Sequence, residues 1–285
     1  LYGNPSPLRG ILVFASIHRE SEMTLMEIRA ITARTAPDGF DRLENPDHSF
    51  NVRPEMPSYF QALDRGRPVG SLSVFLPTAD TAELSVCVRP SCRGQGIFRA
   101  LLQEAVAVLR PVGCRRLLFP CQGDSGDGRA VAAHWGLALD HSEYLMYYGG
   151  AHAAPRVSVS LRPAQQTDRS ALEVLYSAAF PGDGGMAACC LQEGILCRVL
   201  ERQGRLAGAA CVNLRGEALS IFGVAVDPAL QGQGLGGGLM AALLDGLAPL
   251  RGKRHVLLEV DGGNERARRL YASSGFTARR LVEYY

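Results

Sequence analysis

The sequence predicts a mixed α/β protein made of two copies of one fold, each with a largely antiparallel sheet. Three observations carry this expectation: a repeat of constant offset, strand-like and helix-like segments in the same order in each repeat, and a glycine cluster joining a buried strand to an apolar helix. Gly66-Arg67-Pro68-Val69-Gly70 returns as Gly204-Arg205-Leu206-Ala207-Gly208, and Val88-Arg89-Pro90 as Val226-Asp227-Pro228, both shifted by 138 residues. Arg93-Gly94-Gln95-Gly96-Ile97 returns as Gln231-Gly232-Gln233-Gly234-Leu235 at that same offset. After one inserted residue, Gly113, Gly123 and Gly136 match Gly252, Gly262 and Gly275. The copies are therefore expected over residues 1–150 and 156–285, with 1–23 as an extra N-terminal segment. GGAHAAP (Gly149 to Pro155) forms the linker.

Within the second copy, VSVSLRPA reads as a strand, and DRSALEVLYSAAF as a helix because Leu172, Leu175 and Ala179 recur at helical spacing. ILCRVLER and RLAGAACVNL flank a Gln203-Gly204 turn, and LSIFGVAV is a continuous apolar strand closed by Pro228. The glycine cluster and its helix follow, then the strand HVLLEV, a helix from Glu265 to about Ser274 and the strand FTARRLVEYY. The first copy repeats this order with a shortened front end.

Composition narrows the partners. The chain has 285 residues, 47% of them hydrophobic and 20% charged, with 30 basic against 28 acidic residues, a formal net charge of +2. The charges are scattered, which argues against nucleic acid or anionic lipid as the main partner. The eight cysteines include no C-x-x-C pair, so reduced thiols in a cytoplasmic protein are expected, with no metal. The adjacent Cys189 and Cys190 have no histidine at a recognisable partner spacing and read as structural thiols. ILVFASI (Ile11 to Ile17) is too short to span a bilayer, and HRESE follows where a signal peptide would want small residues.

QGQGLGGG (Gln231 to Gly238) places five glycines before the apolar run LMAALLDGL. Glycine costs a helix roughly 0.5–1 kcal/mol relative to alanine, so the cluster needs a compensating role. A turn from a buried strand into a helix gathers backbone N–H groups at the positive end of the helix dipole, which makes an anion site suited to phosphate. Gly232, Gly234 and Gly237 satisfy G-x-G-x-x-G, but Asp227 to Leu230 intervene after the strand and no G-K-[ST] follows. A dinucleotide fold and a P-loop are both disfavoured.

At these residues the sequence resembles the GNAT acyltransferase superfamily, whose pyrophosphate loop is [QR]-x-x-G-x-[GA], met here by Gln231, Gly234 and Gly236. LEVDGGNERARRLYASSGF (Leu258 to Phe276) resembles the second half of that family's site. The L-E-V, the Asn, the L-Y and the closing Tyr-Tyr are similar to the ribosomal-protein alanine N-acetyltransferases. The resemblance implies acetyl-CoA as cosubstrate, lying against Val224-Ala225-Val226, with its pyrophosphate on Gly232, Gln233, Gly234, Leu235, Gly236 and Gly237 and with Asn264 near the pantetheine arm. It implies Tyr271 as the acid that protonates the departing thiolate and Glu259 as the base that takes the proton of a primary amine. Glu259 is expected inside an apolar strand, where a carboxylate is costly unless paired or used. The alternatives are a core aromatic for Tyr271, a strand-end carboxylate paired with an arginine for Glu259, and a helix N-cap for Asn264, which can touch coenzyme as well.

The first copy departs from the pattern: Phe98 replaces the last small residue of its loop, Pro120 stands where Glu259 stands, and Ala132 where Tyr271 stands. Chemistry is therefore expected in the second copy, by direct attack of the amine in a ternary complex. A degenerate copy beside an intact one also resembles tandem enzymes of the mycothiol synthase type, which would make the acceptor a small molecule rather than a peptide N-terminus. A CoA-binding regulatory module without turnover is the reading outside enzymes. Acceptor contacts are expected on Pro181 to Gly194, where Asp183 and Glu193 are the charges. Only one strand, Phe276 to Tyr285, follows the last helix where the family has a hairpin. Ile11 to Ile17 is therefore expected to lie outside the first copy's own fold and to pair with some sheet edge.

Overall fold

The computed structural model describes residues 11–16, 51–181 and 186–285. Its contacts divide the chain into two units, 1–140 with 283–285, and 141–282.

The first unit holds β1 (Ile11–Ser16), β2 (Tyr59–Asp64), β3 (Arg67–Phe75), β4 (Thr81–Val88), α1 (Ile97–Leu109), β5 (Arg116–Leu118), β6 (Pro120–Gln122) and α2 (Gly126–His134). Strands β1 to β5 lie in sequence order in one sheet, antiparallel except for the parallel β4/β5 pair. Strand β1 pairs along its length with β2, from Ile11 opposite Asp64 to Ser16 opposite Tyr59. It does meet a sheet edge, but that of the first unit's own sheet, so the expectation of a strand outside this fold is corrected. The remainder of 1–23 lies outside the described residues. The β2/β3 hairpin turns on Arg65 and Gly66 with φ of 49° and 77°, the doubly left-handed turn whose twist matches that of paired strands. Helix α1 buries Ile97, Leu101, Ala105 and Leu109, a strict i, i+4 stripe against the sheet.

The second unit holds β7 (His141–Tyr148), β8 (Leu161–Pro163), α3 (Arg169–Ala179), α4 (Met186–Cys190), β9 (Ile195–Arg202), β10 (Arg205–Asn213), β11 (Leu219–Val226), α5 (Leu235–Arg251), β12 (Val256–Asp261), α6 (Glu265–Ser273) and β13 (Phe276–Tyr284). Its strands run β13-β7-β12-β11-β10-β9-β8 across one sheet, with β11 and β12 parallel. The strand missing from the second copy's hairpin is β7, which runs antiparallel to β12 from Leu257 opposite Tyr147 to Asp261 opposite Glu143. The division at Asp140/His141 precedes the linker at 149–155, so a strand read with the first copy completes the second sheet.

Two cores flank this sheet. On one face α5 and α6 pack Leu239, Met240, Leu243, Leu247 and Tyr271 over Leu219, Ile221, Val256, Leu258 and Val260. On the other, α3 and α4 pack Leu172, Leu175, Tyr176 and Cys190 over Cys197, Val199, Ala209, Cys211 and Ala225.

Candidate active site

The glycine cluster resolves into distinct requirements. Gly232 and Gly234 have φ of 81° and 82°, a region that costs an L-residue roughly 1–2 kcal/mol. Gly234 is the N-cap of α5 with no side-chain cap, whereas α6 is capped by Asn264, whose Oδ1 accepts from Ala267 N–H at 3.0 Å. The first amide of α5 to find a helical carbonyl is Gly238, bonded to Gly234 O at 3.2 Å, so those of Leu235, Gly236 and Gly237 precede the ladder. A Cβ on Gly238 would meet Val157 O at 2.3 Å, and one on Gly236 would meet Leu270 Cδ2 at 3.3 Å. These two positions serve close packing; Gly232 and Gly237 face open space. The cluster therefore combines a turn, a packing contact and an open cradle of N–H donors.

Side chains fix and charge this cradle. The Gln231 amide donates to Val226 O at 2.9 Å, tying the loop to the end of β11, and its Oε1 accepts from Arg266 at 2.6 Å. Gln233 Oε1 accepts from Arg202 at 2.9 Å. Two exposed guanidiniums thus flank the loop, each hydrogen-bonded to the neutral amide of a loop glutamine. Arg202 and Arg266 were not among the expected site residues, because no motif marks them. Their signal lies in the repeat, where the corresponding residues of the first copy are the acids Asp64 and Asp127.

Strand β11 carries a second feature absent from the expectations. Its pairing with β10 passes from Ala225 opposite Ala209 to Phe222 opposite Cys211, so two residues of β11 face one of β10. The bulge centres on Gly223 (φ 58°), and Tyr176 of α3 donates its hydroxyl hydrogen to Gly223 O at 2.9 Å. Strands β11 and β12 pair only from Leu219 opposite Val256 to Ile221 opposite Leu258. Beyond that point Val224, Ala225 and Val226 are not paired with Glu259 to Asp261, which leaves an opening between two parallel strand ends above the loop. The isolated glycine in LSIFGVAV was the available signal for the bulge. The first copy has Ser85 there, and its β3/β4 pairing runs without a shift.

The two proton-transfer candidates occupy opposite environments. Tyr271 is buried in α6 with its ring edge-on to Phe276, and burial alone pushes its hydroxyl up to about 12. Glu259 is exposed on β12 opposite Leu145. Because Val256, Leu258 and Val260 point into the Tyr271 core, strand alternation turns Glu259 to the other face. The expected cost of a buried carboxylate at Glu259 is therefore corrected. Tyr271 and Glu259 therefore do not share a face of the sheet. Asn264 is exposed and fills the capping role. On the acceptor segment Glu193 is exposed, and Asp183 lies outside the described residues. Among the described residues no helix is long and apolar enough to cross a membrane.

Comparison with known proteins shows the family. The acetyltransferase (GNAT) family model matches twice, at residues 25–134 and 167–276. A mycothiol acetyltransferase of Clavibacter michiganensis subsp. michiganensis is 30% identical over 232 residues, 74% of this chain and 74% of its own length. The [ribosomal protein bS18]-alanine N-acetyltransferase of Escherichia coli is 35% identical over 107 residues, 38% of this chain and 72% of its own. Among solved structures, a GCN5-related N-acetyltransferase from Sphaerobacter thermophilus superposes with a TM-score of 0.76 at 16% identity, covering 99% of this chain and 96% of that one. A tandem GNAT protein from the clavulanic acid biosynthesis pathway gives 0.70 at 18% identity, covering 96% and 97%. The two family matches, the relatives that span both units and the tandem neighbours of like fold identify the chain as a tandem N-acetyltransferase of the GNAT family, which uses acetyl-CoA as cosubstrate.

Proposed function

We propose that the second unit transfers the acetyl group of acetyl-CoA to a primary amine by direct attack in a ternary complex. The observation that carries this reading is the uncapped start of α5, flanked by Arg202 and Arg266, an arrangement suited to a pyrophosphate. Gln231, Gly232, Gln233, Gly234, Leu235, Gly236 and Gly237 would hold that group. Val224, Ala225 and Val226 would hold the pantetheine arm through backbone groups that β12 leaves unpaired. Bound acetyl-CoA supplies an activated thioester. The amine nitrogen forms the new C–N bond as the C–S bond breaks. Glu259, an exposed residue of β12, accepts the amine proton directly or through water. Tyr271 keeps its own proton far above neutral pH, so its hydroxyl is a donor for the departing sulfur.

A small-molecule amine is favoured over a peptide N-terminus. The mycothiol acetyltransferases align across both units, whereas the ribosomal-protein enzyme covers 38% of this chain. Thiol release from acetyl-CoA, measured against a panel of small amines and N-terminal peptides, tests both statements. Release that depends on small amines is expected. Tight acetyl-CoA binding with no amine-dependent release would reduce the protein to a CoA-binding module.

A further inference from the structure

On the face of the second sheet opposite α5, three buried thiols converge. Cys197 of β9 and Cys211 of β10 lie directly opposite each other in strand register, and Cys190 arrives from the end of α4. The three residues are 1%, 6% and 0% exposed (Cys190, Cys197, Cys211), and their sulfurs all lie within 4.8 Å of one another. Leu172, Leu175, Val199 and Ala209 belong to the same buried cluster. Tyr176 joins the cluster with its oxygen 3.4 Å from Cys190 Sγ and 3.7 Å from Cys211 Sγ. Acetyl transfer as proposed above uses none of the three sulfurs. Their sequence spacing resembles no C-x-x-C metal motif, because strand pairing and a helix end assemble the triangle.

We propose that Cys190, Cys197 and Cys211 form a closed site for a thiophilic d10 cation, with Zn²⁺ and Cu(I) the two sources of that chemistry. Metal–sulfur bonds of about 2.3 Å place three sulfurs around one ion about 4 Å apart, so this triangle closes with small side-chain movements. Sulfur ligands select soft or borderline ions over Mg²⁺ or Ca²⁺, which prefer oxygen. Zn²⁺ would take the Tyr176 oxygen as a fourth, tetrahedral ligand, whereas Cu(I) is satisfied by the three sulfurs. Each metal–thiolate bond replaces an S–H bond and releases its proton to solvent, with no change of oxidation state. An ion held here ties α4 to β9 and β10. It also removes the Cys190 S–H that now donates to Tyr176, the residue that holds the Gly223 carbonyl of the bulge.

The test uses the reduced full-length chain. Zn²⁺ binding is measured by equilibrium dialysis, Cd²⁺ binding by its thiolate charge-transfer absorbance, and Cu(I) binding under anaerobic conditions, each alone, so the arms identify the ion. The expected result is one equivalent per chain with a melting temperature raised by several degrees, because the ion binds the folded site preferentially. Both effects should vanish in Cys190→Ala, Cys197→Val and Cys211→Ala and survive in Cys121→Ser, with retained acetyl-CoA binding showing that each variant is folded. No bound ion in any arm, or binding indifferent to all three substitutions, would overturn the site.

Discussion

The loops Arg93–Gly96 and Gln231–Gly234 have nearly the same backbone in opposite chemical settings. Gly94 and Gly96 have φ of 73° and 82°, Gly232 and Gly234 of 81° and 82°, and a 3-10 turn beginning at proline precedes each loop. Even the anchoring bond repeats: Arg93 Nε donates to Val88 O, as Gln231 Nε2 does to Val226 O. The surroundings diverge. In the first unit Arg93 is paired with Asp127, and Phe98 lies against Trp135 and Phe119 with ring centroids 5.0 and 5.9 Å away. In the second, the loop's neutral glutamines hold two cations, and Gly236 stands where Phe98 does. The strand-to-helix turn is a requirement of the fold and persists in both copies. In the function proposed above, anion binding needs the cations around the turn, and among the described residues the second copy holds them through Gln231 and Gln233 while the first has Asp64 and Asp127 in their places.

The largest expected effect breaks the intact loop. Gly234→Val puts a β-branched residue at φ 82°, with Val157 Cγ2 3.2 Å from the new Cβ. Calorimetric titration should give one tight acetyl-CoA site per chain in the native protein and at least about a hundredfold weaker binding in this variant, a loss of roughly 2.7 kcal/mol. Gly96→Val should leave the tight site as it was. Two equal sites in the native chain would erase the contrast between the copies.

Next in size is Tyr271→Phe, which keeps the ring and removes the proton donor. We expect kcat to fall by about a hundredfold with acetyl-CoA affinity unchanged, the low end of the usual acid–base contribution because a thiolate leaves readily. The hydroxyl has a stability signature as well. Its native pKa is raised to about 12 from the unfolded value of 10.0, so the unfolded state loses its proton first and native stability falls as pH rises through that interval. The Phe variant should lack this part of the alkaline loss. Undiminished kcat in a folded variant would return Tyr271 to the core.

Glu259→Gln should cost less, about tenfold at neutral pH, because an exposed carboxylate shares its work with water. The deficit should shrink as pH rises and more of the acceptor amine is already neutral. A deficit that stays constant from neutral pH to pH 9 would mean that Glu259 orients the acceptor rather than taking its proton.

How much of this was legible follows from how local each signal is. The repeat, the left-handed glycines at 232 and 234 and the helix after them are written in adjacent residues, and the structure repeats them in register. Arg266 was hidden because its meaning is relational: a cation on α6 matters only once folding brings it to Gln231. The bulge at Gly223 had a local sign, but the Tyr176 hydroxyl that holds it comes from α3, far away in sequence. Glu259 was misplaced for the converse reason. An apolar run reads as buried throughout, while a strand turns alternate residues outward. The assignment of β7 to the second sheet depended on pairing partners that no segment's own composition encodes.

The smallest effect concerns the first unit alone. Phe98→Ala removes the ring that packs on Trp135 and Phe119, and we expect a loss of about 1–3 kcal/mol, below the usual cost for a fully buried Phe because the residue is half-buried. Trp135 is the chain's single tryptophan, so its fluorescence during denaturant unfolding reports on the first unit specifically. The midpoint of that transition should move to lower denaturant, while turnover and the number of tight acetyl-CoA sites stay unchanged. Opening the space does not supply what the loop lacks, because Arg93 remains neutralised by Asp127 and no cation replaces Asp64. The appearance of a second tight acetyl-CoA site in Phe98→Ala would mean that steric filling, and not charge, silenced the first copy.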